Sequence, residues 1–145
     1  MTMDNIDFEK FADREELIQW LLDTGKVVDR AGANQWITQR VPLEKVWQAK
    51  ILQYLRDEKR CGGIDRNAFI WKASAGPYQR SGIPDVWCIT GGKTFCFEVK
   101  RPFIGQLTGV QSQTIRDLNA AGAIAAKVSY INEVEAVLRA DGVMG

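Results

Sequence analysis

The 145-residue chain contains no histidine. That absence excludes Ser-His-Asp and Cys-His nucleophile systems, histidine general bases and every zinc site that needs an imidazole. Any catalysis must therefore rest on carboxylates, lysine, tyrosine, cysteine or a bound metal. The three cysteines, Cys61, Cys88 and Cys96, form no Cys-x-x-Cys pair, which predicts free thiols and a reducing compartment. No apolar run approaches the roughly 20 residues of a membrane span, and the polar, acidic start does not resemble a signal peptide. A soluble, cytoplasmic protein of bacterial or phage origin is expected. Charge of one sign is also missing: 19 basic residues face 18 acidic ones, so the net charge of +1 exerts no long-range pull on a polyanion. The local balance differs, because Lys72, Arg80, Lys93, Lys100 and Arg101 outnumber Asp85 and Glu98 between positions 72 and 101.

What is present concentrates in two apolar-rich segments, 83–90 and 93–100, separated by Gly91-Gly92. Two glycines suit a type I′ hairpin turn, in which both central residues need positive φ. A two-residue loop pairs Thr90 with Lys93 and sets Asp85 opposite Glu98. Directly opposed residues share a sheet face with Cβ atoms roughly 4.5 to 5.5 Å apart, and like charges so placed repel. Compensation can come from Lys100, two residues beyond Glu98 on the same face, or from a hard divalent cation that needs converging carboxylate oxygens. A merely solvated rim is the plain alternative. Against it, Phe95, Phe97 and Val99 mark the other face as core, while Trp87 and Ile89 share the acidic one. The same register places Cys88 and Cys96 on opposite faces.

Around the hairpin the pattern is helix, three strands, helix, strand, helix. A first helix runs from Asp13 as N-cap to Asp23, with Glu16 completing a capping box, Leu17, Trp20 and Leu21 as its stripe and Gly25 as its stop. Residues 30–40 suit a second short helix, making a helical extension that can cap the core or, as a helix-turn-helix-like pair, meet DNA. Pro42 opens a longer helix over 43–59 whose buried stripe is Leu43, Trp47, Ile51, Tyr54 and Leu55. Glu44 borders that stripe and serves either as a first-turn acid favoured by the helix dipole or as a group facing the sheet. A strand over 68–72 and a Gly/Pro/Ser-rich loop over 74–82 lead into the hairpin. After a loop at 103–107, a helix over 108–121 starts with a Thr108-x-x-Gln111 capping box, which by itself accounts for Gln111; Gln111 also heads the stripe of Ile115 and Leu118 and so can face the acids. A strand over 124–129 and a helix starting at Asn132 with Glu135 complete the chain. The last strand should return through a right-handed crossover.

Three segments, Ser81-Gly82-Ile83-Pro84-Asp85, Phe97-Glu98-Val99-Lys100-Arg101-Pro102 and Leu107-Thr108 with Gln111, resemble the virus-type replication-repair (VRR) nuclease domain of the PD-(D/E)XK superfamily. The likeness spans about residues 43–138 with the elements in the expected order. It implies an α/β, restriction-endonuclease-like core (αβββαβ, a mixed four-stranded sheet flanked by helices) over 42–145, preceded by a helical extension over 1–41. It further implies Asp85 and Glu98 as ligands of Mg²⁺ or Mn²⁺, with the Val99 carbonyl and Glu44 completing the set, Lys100 orienting a water or offsetting transition-state charge, and Gln111 assisting. Lys72, Arg80 and Arg101 are the expected phosphate contacts, Arg101 lying across the strand from Lys100 by parity. The implied activity is metal-dependent DNA endonuclease action, structure-selective in the manner of a homodimeric Holliday-junction resolvase. Flap, nicking or restriction-type cleavage by the same constellation, and a non-catalytic nucleic-acid-binding module, are the alternatives.

Overall fold

A computed structural model describes residues 6–56, 68–73 and 80–143. Expectations that fall elsewhere, namely the first five residues, positions 57–59 of the long helix, Cys61 and positions 74–79 of the loop, lie outside the described residues. After a short 3-10 turn at Phe8–Lys10 come α1 (Arg14–Asp23), α2 (Arg30–Arg40), α3 (Glu44–Arg56), β1 (Phe69–Lys72), β2 (Val86–Thr90), β3 (Lys93–Val99), α4 (Gly109–Ala120), β4 (Ile124–Val128) and α5 (Ile131–Ala140).

The strands form one mixed sheet in the order β1-β2-β3-β4. β1 and β2 pair antiparallel, as do β2 and β3, whereas β4 lies parallel to β3 after the α4 crossover. Gly91 and Gly92 adopt φ of 58° and 75°, and the two-residue turn they form fixes Thr90 opposite Lys93 and Val86 opposite Phe97. The alternation then sorts side chains. Val86, Cys88, Phe95, Phe97 and Val99 join Trp47, Ile51, Leu55, Val128, Val134 and Leu138 in the main core beneath α3 and α5. Each fully buried aliphatic or aromatic group contributes roughly 1.5–3 kcal/mol. Cys88 and Cys96 are buried thiols on opposite faces, as the register requires.

A second cluster gathers Leu17, Ile18, Leu21, Ala33, Ile37 and Val41, and Phe103 and Ile104 pack against it. The helical extension thus rests on the loop that follows β3. Among the described residues no helix is long and apolar enough to cross a membrane.

Four details differ from expectation, the first being Leu43, which was expected on the buried stripe of the long helix but precedes α3 and is 54% exposed. The Glu16 carboxylate reaches back to the N–H of Ala12, not to that of the N-cap, although the Asp13 side chain does accept from Glu16 N at 2.9 Å. α5 begins at Ile131, because the Glu133 carboxylate accepts from the N–H groups of Ser129 and Tyr130 at 2.9 and 3.0 Å and supplies the cap expected of Asn132 with Glu135. β2 starts at Val86 and not at 83, since Pro84 lacks an N–H for the ladder.

Candidate functional site

Asp85 stands one residue before β2, its carbonyl accepting from Ala73 N at 2.8 Å, so the end of β1 holds its backbone. The loop leading to it passes against α4. Gly82 has φ of 81°, and a Cβ there would lie 2.7 Å from Val110 Cγ1. Only glycine allows both the left-handed backbone and this approach. One carboxylate oxygen of Asp85 accepts from Val99 N at 3.1 Å, tying the acid across to the end of β3.

Glu98 lies on the same sheet face and is only 2% exposed. Its Oε1 accepts from Gln111 Nε2 at 2.5 Å and lies 3.7 Å from Lys100 Nζ. Its Oε2 is buried and meets no donor among the described residues. A buried, half-satisfied carboxylate is costly when charged. Burial first, then the nearby charge of Asp85, pushes the Glu98 carboxyl up to about 8; Lys100 opposes the shift, while a proton shared with the Asp85 side chain and the charge of Glu44 add to it.

Glu44, the first residue of α3, is half-exposed and brings Oε1 within 4.0 Å of Lys100 Nζ. Its carboxyl is raised by burial, with Lys100 pulling it down and Asp85 pushing it up. Lys100 therefore sits between two acids, and its own backbone is pinned from both directions: its N–H donates to Val128 O at 2.9 Å and its carbonyl accepts from Ser129 Oγ at 2.6 Å. Gln111 serves two purposes at once. Its Oε1 accepts from Thr108 N at 3.0 Å to complete the capping box, while its amide nitrogen reaches Glu98. The choice between cap and site that the spacing left open is resolved as both.

The structure thus brings Glu44, Asp85, Glu98, Lys100 and Gln111 together at one end of the sheet. The basic residues behave differently. Arg101 turns into the chain, its guanidinium donating to the carbonyls of Thr38, Val41 and Pro42 at 2.5 to 3.2 Å. It ties the link between α2 and α3 to the end of β3 instead of pointing to solvent for a phosphate. Lys72 is exposed but pairs with Val86, which puts it on the α3 side of the sheet, away from Glu98. Arg80 is exposed on the approach to Asp85.

Two contributors escaped sequence reasoning. Ser129, buried at the end of β4, holds the Lys100 carbonyl. Arg14 of α1 donates to Phe103 O at 3.1 Å and to Asn34 Oδ1 at 2.8 Å, fixing a residue whose φ is 66° just beyond Pro102. No local pattern signals either contact, because the partners are far apart in sequence.

Among the described residues no group of three or more His, Cys, Asp or Glu side chains converges as a ready-made metal cage. A Mg²⁺-type ion does not need one, since it keeps several waters and takes only one or two carboxylates. The facing carboxyls of Glu98 and Asp85 suit that donor set; a structural zinc site, with four nitrogen or sulfur ligands, has nothing among the described residues here to hold it.

No family model matches the chain. No curated protein matches it. A solved structure described as "VRR_NUC domain" is similar to it, with 20% identity, a TM-score of 0.49, and coverage of 64% of this chain and 95% of that chain.

Proposed function

We propose that this chain is a divalent-metal-dependent DNA endonuclease that hydrolyses phosphodiester bonds, selecting branched DNA as a dimeric junction resolvase does. The observation that supports this reading is the Glu98 carboxyl, 2% exposed, with one oxygen held by Gln111 and the other facing Asp85 with no donor among the described residues. A protein that merely needed a stable sheet would place an apolar residue there. Asp85, Glu98 and the Val99 carbonyl would hold Mg²⁺ or Mn²⁺, with Glu44 reaching one of the waters the ion keeps. Such an ion supplies Lewis-acid screening of the phosphate and a more acidic water.

The remaining chemistry belongs to the chain. Gln111 fixes the rotamer of Glu98, so that its second oxygen points where a ligand must be met. The Lys100 ammonium, 3.7 Å from Glu98 and 4.0 Å from Glu44, can orient the attacking water and offset the negative charge that grows on the phosphate oxygens in the transition state. Because the Lys100 backbone is bonded on both sides, that charge is delivered from a rigid position. Arg80, exposed and five positions before Asp85 in the chain, would meet a neighbouring phosphate, a contact that positions without reading sequence. Arg101 has no such role, since its guanidinium is engaged within the chain.

Purified protein incubated with a labelled four-way junction, a flap and a plain duplex, with and without Mg²⁺ or Mn²⁺, tests the proposal. Cleavage that requires the ion, is lost in Glu98→Gln and favours the junction is expected. Equal activity of Glu98→Gln and wild type would remove the catalytic assignment, and a preference for plain duplex would remove the branched substrate.

A further inference from the structure

Among the described residues, the sheet face that carries Asp85 and Glu98 is only half covered. α4 packs over β4, while the β1-β2 half leaves Phe69 63%, Trp71 47% and Ile89 45% exposed, with Trp87 half-buried among them. Register puts all four on the acidic face: Phe69 pairs with Ile89 and Trp71 with Trp87. The two indoles are in contact, with centroids 5.9 Å apart and planes at 50°. Trp87 is also locked by its N–H, which donates to Pro84 O at 2.9 Å. This is a rigid aromatic surface, not a loose greasy patch.

From this surface we propose that Trp71 and Trp87, flanked by Phe69 and Ile89, form a stacking platform for unpaired nucleobases of the substrate next to the cleavage site. The proposal deepens the nuclease reading and rests on it. Three observations select this occupant. Trp87 follows Asp85 by two positions, so the two Cα atoms are roughly 7 Å apart along an extended chain. That is about the span of one nucleotide in an extended strand, and a phosphate at Asp85 brings the adjoining base over the indoles. Indole faces stack on any base, which suits a site selecting structure and not sequence. The four side chains offer on the order of 400 Å², about half of what each partner buries in a stable dimer, so a second copy is poorly served by this patch alone. The substrate class that follows is DNA with unpaired nucleotides beside the scissile bond, as at a junction centre, a flap or a gap.

The test is equilibrium binding of the full chain in EDTA, with no cleavage, to fluorescently labelled oligo(dT) and to a blunt duplex. Wild type should bind oligo(dT) with quenching of tryptophan emission. Trp71→Ala should weaken oligo(dT) binding by about 5- to 100-fold and change duplex binding by less than about 2-fold, and Trp71→Phe should restore most of the loss. Thermal melting of both variants confirms that they are folded; Trp71 is exposed on an edge strand, so both should be. Unchanged oligo(dT) affinity in Trp71→Ala, or an equal loss on duplex, overturns the platform while leaving metal-dependent cleavage untouched. Light scattering that shows a wild-type dimer becoming monomeric in Trp71→Ala assigns the patch to a second copy and also overturns it. Failure of wild type to bind oligo(dT) overturns the platform, and failure to bind any DNA with Ca²⁺ in place of EDTA sinks the nuclease reading itself.

Discussion

Glu98 gathers the opposing demands of the molecule in one side chain. Its carboxyl is pushed up to about 8 from an ordinary 4.5, chiefly by burial. In the metal-free protein the native state consequently binds more protons than the unfolded chain between those two values, so stability declines as pH rises through the window from about 4.5 to about 8. Urea midpoints measured in EDTA should fall over that range, and Glu98→Gln should flatten the fall while abolishing cleavage. A metal that binds only the folded state should raise the wild-type midpoint at pH 8 more than that of the variant. Cys96 provides a simpler check on burial at the same scale. Its thiol is raised to about 11 by desolvation, and it is 0% exposed. At pH 8 it should react with a disulfide reagent in urea but not in the native protein.

At the scale of the elements, the Thr108 cap and the Gly82 approach bind α4 to the site. Thr108→Ala removes one half of the capping box and should cost about 1 kcal/mol in chemical denaturation. Gly82→Ala should cost more, about 1–3 kcal/mol, because the new methyl meets Val110 at 2.7 Å and the backbone has φ of 81°. Its catalytic loss should exceed that of Thr108→Ala, since Gly82 governs how the Asp85 loop seats. Much of this layer was legible beforehand. The Gly91-Gly92 turn dictated the hairpin register, whereas residues 26–41 were ambiguous in the sequence, 30–40 only suiting the short helix that α2 forms there. The fate of Arg101 was not legible. Strand parity sends its side chain outward only if the strand continues, but β3 ends at Val99, and the guanidinium then finds carbonyls some 60 residues earlier. Nor does any local pattern reveal which half of the acidic face α4 covers, because that depends on where the crossover lands on the sheet.

For the whole molecule, the extension and the core are coupled through two arginines. Arg101 grips the end of α2 and the link into α3, and Arg14 grips the loop after β3, where Phe103 and Ile104 enter the second apolar cluster. Arg101→Ala leaves those carbonyls without their charged donor and should lower stability by about 1–3 kcal/mol. Glu44 begins α3 only two residues after Pro42, so the same variant should also depress turnover by more than a matched destabilisation elsewhere, such as Asn119→Ala, which loses the bonds to Ala125 at the far end of α4. Melting curves and initial rates measured side by side would reveal the difference. Deletion of residues 1–41 should then be more damaging than removal of an appendage, as it uncovers Phe103 and Ile104 at the edge of the site.

The alternation along β3 also bears on how such a chain can vary in length. Phe95, Phe97 and Val99 belong to the interior and Glu98 to the acidic face, a count held in phase by pairing with both β2 and β4. An insertion of one residue within β3, between Phe95 and Glu98, would carry the acid into the apolar interior and bring a phenyl ring out in its place, whereas one at the exposed Gly91-Gly92 turn only lengthens the loop. Tolerance of insertions and deletions, mapped systematically along the gene, should accordingly drop to near zero within β2 and β3 and recover at the turn between them.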